Sequence, residues 1–281
     1  MVQINDPRHE LARRIYQSYI DRREDWRRPH LGASIIGREC LRQLWYIFRW
    51  FNDPGFDGRM LRLFERGQRE EPWIVEDMRA AGLTVHDRDP ETGEQIRVSW
   101  VGGHFGGSCD GVVLGVPEAP EKWHIWECKT SNTKGFRELE RKGVEVAKPE
   151  HYAQMQVYML GLGLDRALYT VVAKETDHIY TERVRLKRRE AEGLIAKAAG
   201  IVFSGDPPVR ISEDPSWYKC KMCHLREVCH GGEVETVEKN CRTCTHSSPT
   251  KDGMWMCGKF TATITPDAQR AGCEEWVGRE A

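Results

Sequence analysis

His104-Phe105-Gly106-Gly107-Ser108-Cys109-Asp110-Gly111, with Trp123-His124-Ile125-Trp126-Glu127-Cys128-Lys129 downstream, decides how this 281-residue chain is read. Side chains alternate across a strand, so Glu127 and Lys129 share one face of a strand that also carries Ile125 and Trp126. A carboxylate and an ammonium set in an apolar run are expensive to bury unless the site uses them. Asp110, read at the turn of the preceding hairpin, brings a second carboxylate to the same place. Two carboxylates gather a hard divalent cation such as Mg²⁺ or Mn²⁺ through oxygen ligands. Such an ion polarises a phosphate and acidifies a bound water. Lys129 would then stabilise the developing charge or orient that water. The bland alternative is a surface hairpin with an exposed ion pair.

Upstream of this pair the apolar spacing is helical. Leu11, Ile15, Tyr16 and Tyr19 predict an amphipathic helix over 8–28. Ser34, as N-cap, predicts a second helix through Leu41, Leu44, Trp45 and Phe48, broken by Asn52-Asp53-Pro54-Gly55. A third helix is expected from Met60 to Ala81, stopped by Gly82. The period then changes to alternation, which predicts strands over 95–101, 105–115 and 122–130. A helix over 150–162, strands over 167–173 and 178–186, and a helix from Lys187 to Phe203 complete an α/β core with helices on both sides. Beyond Gly205-Asp206-Pro207-Pro208 the chain turns cysteine-rich, which places module boundaries near 205 and 235.

On the helix over 150–162, Gln154 and Tyr158 stand four apart and share a face directly after the Glu-x-Lys strand. Gly67-Gln68-Arg69-Glu70-Glu71-Pro72 lies on the third helix. In this order the motifs resemble the PD-(D/E)xK nuclease superfamily, in its RecB-like, iron–sulfur exonuclease branch. Cys109 stands where that pattern has its Pro, which leaves the metal ligands intact. The resemblance implies an α/β restriction-endonuclease-like fold, a mixed-sheet core flanked by helices. It implies that Asp110 and Glu127 bind Mg²⁺ or Mn²⁺ with the Cys128 carbonyl, and that Lys129 is catalytic. Gln154 and Tyr158 would position the site and the DNA backbone, and Glu71, with Glu70 as the alternative, would add a metal ligand.

The chain has ten cysteines and no apolar leader, so metal ligation is favoured over disulfides. Cys220-x2-Cys223-x5-Cys229 is a tight triplet that lacks a local fourth thiolate, and Cys40 is the upstream candidate. Four thiolates suit a 4Fe–4S cluster or zinc, and His224 and His230 are neighbouring alternatives. One distant cysteine plus such a triplet resembles the iron–sulfur staple of RecB-like nucleases, which implies a 4Fe–4S clasp closing the core. Cys241-x2-Cys244-x12-Cys257-x15-Cys273 fits a small zinc-ribbon-like site, with His246 able to replace one ligand. A module that short has too little core to fold without such a staple. Cys109 and Cys128 lie beside the carboxylates and are read as packing residues.

The resulting expectation has three parts. Residues 1–205 form a helical N-terminal region and nuclease core, 206–234 close onto Cys40, and 235–281 form the zinc-ribbon-like module. Lys+Arg (42) and Asp+Glu (43) leave a net charge of −1, so any nucleic-acid surface must be local. The arginine-rich first third, which includes Arg27 and Arg28, could supply it or could be solvated helix face. No stretch suits a membrane span, and the expected location is the cytoplasm of a bacterial or phage-infected cell. No Gly-x4-Gly-Lys-Ser/Thr occurs, so the resemblance implies a stand-alone exonuclease acting on DNA ends, duplex or single-stranded, in phage-type recombination or repair. Such enzymes commonly have a single-strand annealing protein as partner, and related ones form homo-oligomers. The alternatives are a silent DNA-binding scaffold, a CRISPR spacer-acquisition nuclease and an RNA nuclease.

Overall fold

The computed structural model describes residues 9–231 and 237–279, and the boundary expected near 235 lies outside them. Helix α1 (Glu10–Asp21) is shorter than its sequence pattern and crosses α3 (Gly58–Ala80). Between them come β1 (Leu31–Gly32) and α2 (Leu41–Phe48). The N-cap of α2 is Cys40, whose sulfur accepts from the Gln43 amide at 3.4 Å. Ser34 instead sits in a short 3-10 turn, Ala33–Ile35.

The central sheet has the order β2 (Thr84–His86), β5 (Gly111–Leu114), β6 (His124–Ser131), β7 (Arg166–Ala173), β8 (Ile179–Arg185). It is mixed, with β6 parallel to β7 and every other pair antiparallel. A smaller sheet sets β4 (Phe105–Ser108) between β1 and β3 (Arg97–Trp100). The strand expected over 105–115 is therefore two strands in two sheets. The chain changes sheet at Cys109 and Asp110, where the Cys109 amide still pairs with the Ile96 carbonyl at 3.0 Å. Asp110 consequently stands at the head of β5 and not at a hairpin turn; the β5–β6 turn runs over 115–123.

Alternation along β6 divides the core. Ile125 joins the large cluster with α5 (Pro149–Leu162), while Trp126 and Cys128 pack with Ile74, Val75 and Met78 of α3 on the other face. A further helix, α4 (Thr133–Ala147), follows β6 directly and buries Phe136, Leu139 and Val144. Helix α5 is buried from Tyr152 to Met159, so apolar residues surround it and no single stripe faces the core. Its buried Gln156 is satisfied on both sides, donating to the Arg185 carbonyl at 2.9 Å and accepting the Lys187 amide at 2.7 Å. Helix α6 (Arg188–Phe203) closes the core.

The cysteine-rich portion comprises α7 (Tyr218–Lys221), α8 (Arg226–Gly231), the antiparallel strands β9 (Ser247–Pro249), β10 (Trp255–Cys257) and β11 (Ala262–Thr263), and α9 (Pro266–Ala271). It packs against α2 and the segment after it. Arg242, only 2% exposed, donates to the carbonyls of Phe48 and Pro29 and lies 3.7 Å over the Trp50 ring. No described helix is long and apolar enough to cross a membrane.

Where α1 meets α3, a Cβ on Gly58 would stand 1.9 Å from the Tyr16 carbonyl oxygen. Backbone cannot yield there as a side chain would. Gly58→Ala is expected to cost about 1–3 kcal/mol by forcing the helices apart, as read by denaturant unfolding. Wild-type stability would mean that α1 does not hold this crossing.

Candidate active site

Three strands meet where the functional side chains collect. Asp110 heads β5, Glu127 and Lys129 project from β6, and Tyr169 faces Glu127 from β7 by register. The Cys128 amide donates to Asp110 Oδ2 at 2.7 Å, which fixes that carboxylate against the neighbouring strand. Lys129 Nζ lies 3.7 Å from Asp110 Oδ2, pairs directly with Glu127 Oε1, and donates to the Cys128 carbonyl at 2.9 Å. One ammonium thus bridges both carboxylates and the backbone oxygen between them.

Glu127 is fully buried, and its Oε2 has no hydrogen-bond partner. Burial is the main reason its pKa rises, to about 8, and the Asp110 charge pushes the same way against the opposing pull of Lys129. Glu71, reaching in from α3, is raised to about 7 by burial and by Asp110. Glu71 is thereby placed in the field of this pair. For Lys129 burial works against the charge, yet Glu127 and Asp110 outweigh it and raise the pKa. Among the described residues, no group of three or more His, Cys, Asp or Glu side chains is arranged to hold a metal ion.

Helix α5 supplies the floor. Gln154 donates to the Tyr158 hydroxyl at 3.1 Å, and Gln154 Oε1 is buried without a partner. A Cβ at Gly107 would lie 2.7 Å from that hydroxyl, so β4 must pass the site as glycine. The sequence reading missed His151, whose Nδ1 lies 2.6 Å from the Tyr169 hydroxyl. Burial, then Lys129 and Lys148, lower its pKa to about 3, which keeps the ring neutral. Its signal was present in the spacing, because His151, Gln154 and Tyr158 recur at helical intervals. Cys109 and Cys128 are both buried; burial pushes the Cys109 thiol up to about 12 and that of Cys128 up as well.

Beside this floor lies a cavity of about 630 Å³, lined by Arg28, His30, Ser34, Arg97, Gln154 and Tyr158 among others. Cys40, Cys220, Cys223 and Cys229 line a second cavity of about 600 Å³. Gln43 Nε2 stands 3.3 Å from Cys223 Sγ there, and the His224 and His230 side chains share the wall. Cys241, Cys244, Cys257 and Cys273, with His246, surround a third space of only about 20 Å³.

No protein-family model matches the chain, and no curated protein is similar to it. Among solved structures it is similar to an alkaline exonuclease, LHK-Exo, from Laribacter hongkongensis, at 17% identity over 66% of this chain and 90% of that one, with a TM-score of 0.42. The same exonuclease in complex with dAMP is 15% identical over 67% and 89%, TM-score 0.43. A protein called SSO0001 is 13% identical over 78% and 94%, TM-score 0.46.

A carboxyl with a raised folded pKa keeps its proton in the folded state after the unfolded chain has lost it. Its contribution to stability therefore declines as pH climbs from about 4.5 to about 7. In metal-free protein, Glu71→Gln should flatten that decline, matching wild type at pH 4 and raising Tm at pH 8 by about 2–4 °C. Parallel Tm profiles from pH 4 to 8 would show that burial beside Asp110 does not raise the Glu71 pKa.

Proposed function

We propose that the chain is a metal-dependent nuclease that hydrolyses phosphodiester bonds in DNA, working as an exonuclease on strand ends. The observation that supports this reading most is the buried, unpartnered Oε2 of Glu127 beside a second carboxylate that shares its lysine. A buried carboxylate oxygen without a donor is costly, and a cation removes the cost. Asp110, Glu127, Glu71 and the Cys128 carbonyl would hold Mg²⁺ or Mn²⁺, which when bound supplies Lewis acidity and a more acidic water.

The protein's own groups then have separable tasks. Lys129 keeps the carboxylates apart from each other's repulsion and presents a positive charge where a phosphate gains negative charge. The Gln154–Tyr158 pair forms a rigid polar edge next to it. The neutral His151, bonded to Tyr169, packs behind Lys129 without adding a competing charge. Arg28 and Arg97, in the cavity that Gln154 and Tyr158 also line, suit the phosphates of a DNA strand end.

The first cysteine set suits a 4Fe–4S cluster: Cys40, Cys220, Cys223 and Cys229 line one cavity, and four thiolates are the ligand set such a cluster takes. The cluster would be held by those four thiolates, with Gln43 offering a hydrogen bond to the sulfur of Cys223. It would tie α2 to α7 and α8, and so close the fold around the nuclease core.

Two outcomes are expected. Asp110→Ala and Lys129→Ala should each lower cleavage of end-labelled linear duplex by about 10²–10³-fold or more with Mg²⁺ or Mn²⁺. Wild type no more active than Asp110→Ala would leave a DNA-binding scaffold. Protein purified without oxygen should be brown and carry iron and sulfide at about four each. Cys40→Ser should lose both. A colourless wild type holding only zinc would overturn the cluster.

A further inference from the structure

The C-terminal module from 237 to 279 has very few buried apolar side chains: Val237, Trp255, Ile264 and the thiol of Cys244. So small a core does not hold three short strands by itself. What the module does concentrate is sulfur. Cys241 and Cys244 flank a single 3-10 turn ahead of β9, Cys257 ends β10, and Cys273 follows α9. All four, with His246, line one small space of about 20 Å³. The side chains do not stand in a coordinating array; Cys241 donates its thiol to the Ala268 carbonyl at 3.2 Å, a contact that ligation would replace.

The turn between the first two cysteines carries Arg242 into the protein. Asn240 caps that turn through the amides of Arg242 and Thr243, and its own amide reaches the Trp50 carbonyl at 3.0 Å. Arg242 is stacked between Trp50 and Trp255, has no carboxylate partner among the described residues, and spends its donors on the carbonyls of Pro29 and Phe48 and on Gln269. Trp50 in turn donates to the Arg28 carbonyl at 2.8 Å. Arg28 and His30, on either side of Pro29, form one wall of the cavity beside Gln154 and Tyr158.

We propose that Cys241, Cys244, Cys257 and Cys273 bind a single zinc ion, and that this ion fixes the turn from which Arg242 holds the Arg28–Gly32 wall of the cavity next to the active site. Zinc suits four thiolates at a closed tetrahedral site with no redox demand. Arg242 is then a positioning residue: it touches no substrate, and it acts through the Pro29 carbonyl. The claim about the wall deepens the nuclease reading, whereas the metal claim is independent of it.

Intact protein should contain about one zinc per chain apart from any iron, and cobalt substitution should give the visible bands of a tetrahedral thiolate site. Cys257→Ser and Cys273→Ser should each abolish both signals. If those variants do not fold, the cobalt spectrum of wild type still decides. Iron in place of zinc, or no ion beyond the cluster, would overturn the metal claim. Arg242→Gln should retain the zinc yet speed hydrogen exchange of the Leu31 amide by about tenfold, the loss of one charge-assisted hydrogen bond. The KM for linear duplex should rise by a similar factor while kcat changes little. Unchanged Leu31 exchange in Arg242→Gln would overturn the positioning claim. Exchange is read without substrate, so failure of the nuclease reading would not disturb that measurement.

Discussion

A carboxylate with no access to water, held against a lysine two residues further along its own strand, is the constraint to which the rest of the fold answers. Glu127 is tolerable in that position only because Lys129 meets it and because Asp110 is pinned by the Cys128 amide on the next strand. On the opposite side of β6, Trp126 and Cys128 pack on α3. The floor beneath is polar yet rigid, because α5 buries Gln154 and Tyr158 there, hydrogen-bonded to each other. Charge placement of this kind costs stability, and it is tolerated at sites where function needs it.

A second cluster of buried charge lies far from the first in character. Arg49 and Arg242 are interleaved with Trp45, Trp50 and Trp255, and the carbonyls of Ser204, Phe48, Pro29 and of Arg242 itself absorb their donors. Planar guanidinium groups fit between rings in a way that an ammonium would not. The same cluster joins the segment after α1 to the cysteine-rich module, so regions distant in sequence share one interior.

Much of this was legible in the residues. Alternation through Ile125, Glu127 and Lys129 revealed the strand and its charged face, and the spacing of Gln154 and Tyr158 revealed the helix beneath. Other features were hidden for physical reasons. Helix α4 does carry Phe136, Leu139 and Val144 at helical spacing, but its high charge and the non-helical Gly143 that kinks it masked that signal. The division of 105–115 between two sheets follows from where partners lie, and β propensity is blind to that. His151 shares the helical spacing of Gln154 and Tyr158, but its partner is visible only once β7 brings Tyr169 against it. The role of Cys40 as a helix cap, taken over from Ser34, depends on a backbone turn at Ala33–Ile35 that hydropathy does not report.

The stacking of Arg242 on Trp50 also has a consequence for how the molecule comes into being. Synthesis proceeds from the N-terminus, and Trp50 leaves the ribosome long before Arg242 and Trp255 exist to flank it. Until then Trp50 and the Pro29 carbonyl have no partners from the module, and loop closure over that separation is slow compared with local helix formation. The strands bearing Asp110 and Glu127 can pair earlier, but the wall beside them is finished last. The wall beside the Asp110–Glu127 pair is therefore completed only once the module that carries Arg242 has been made.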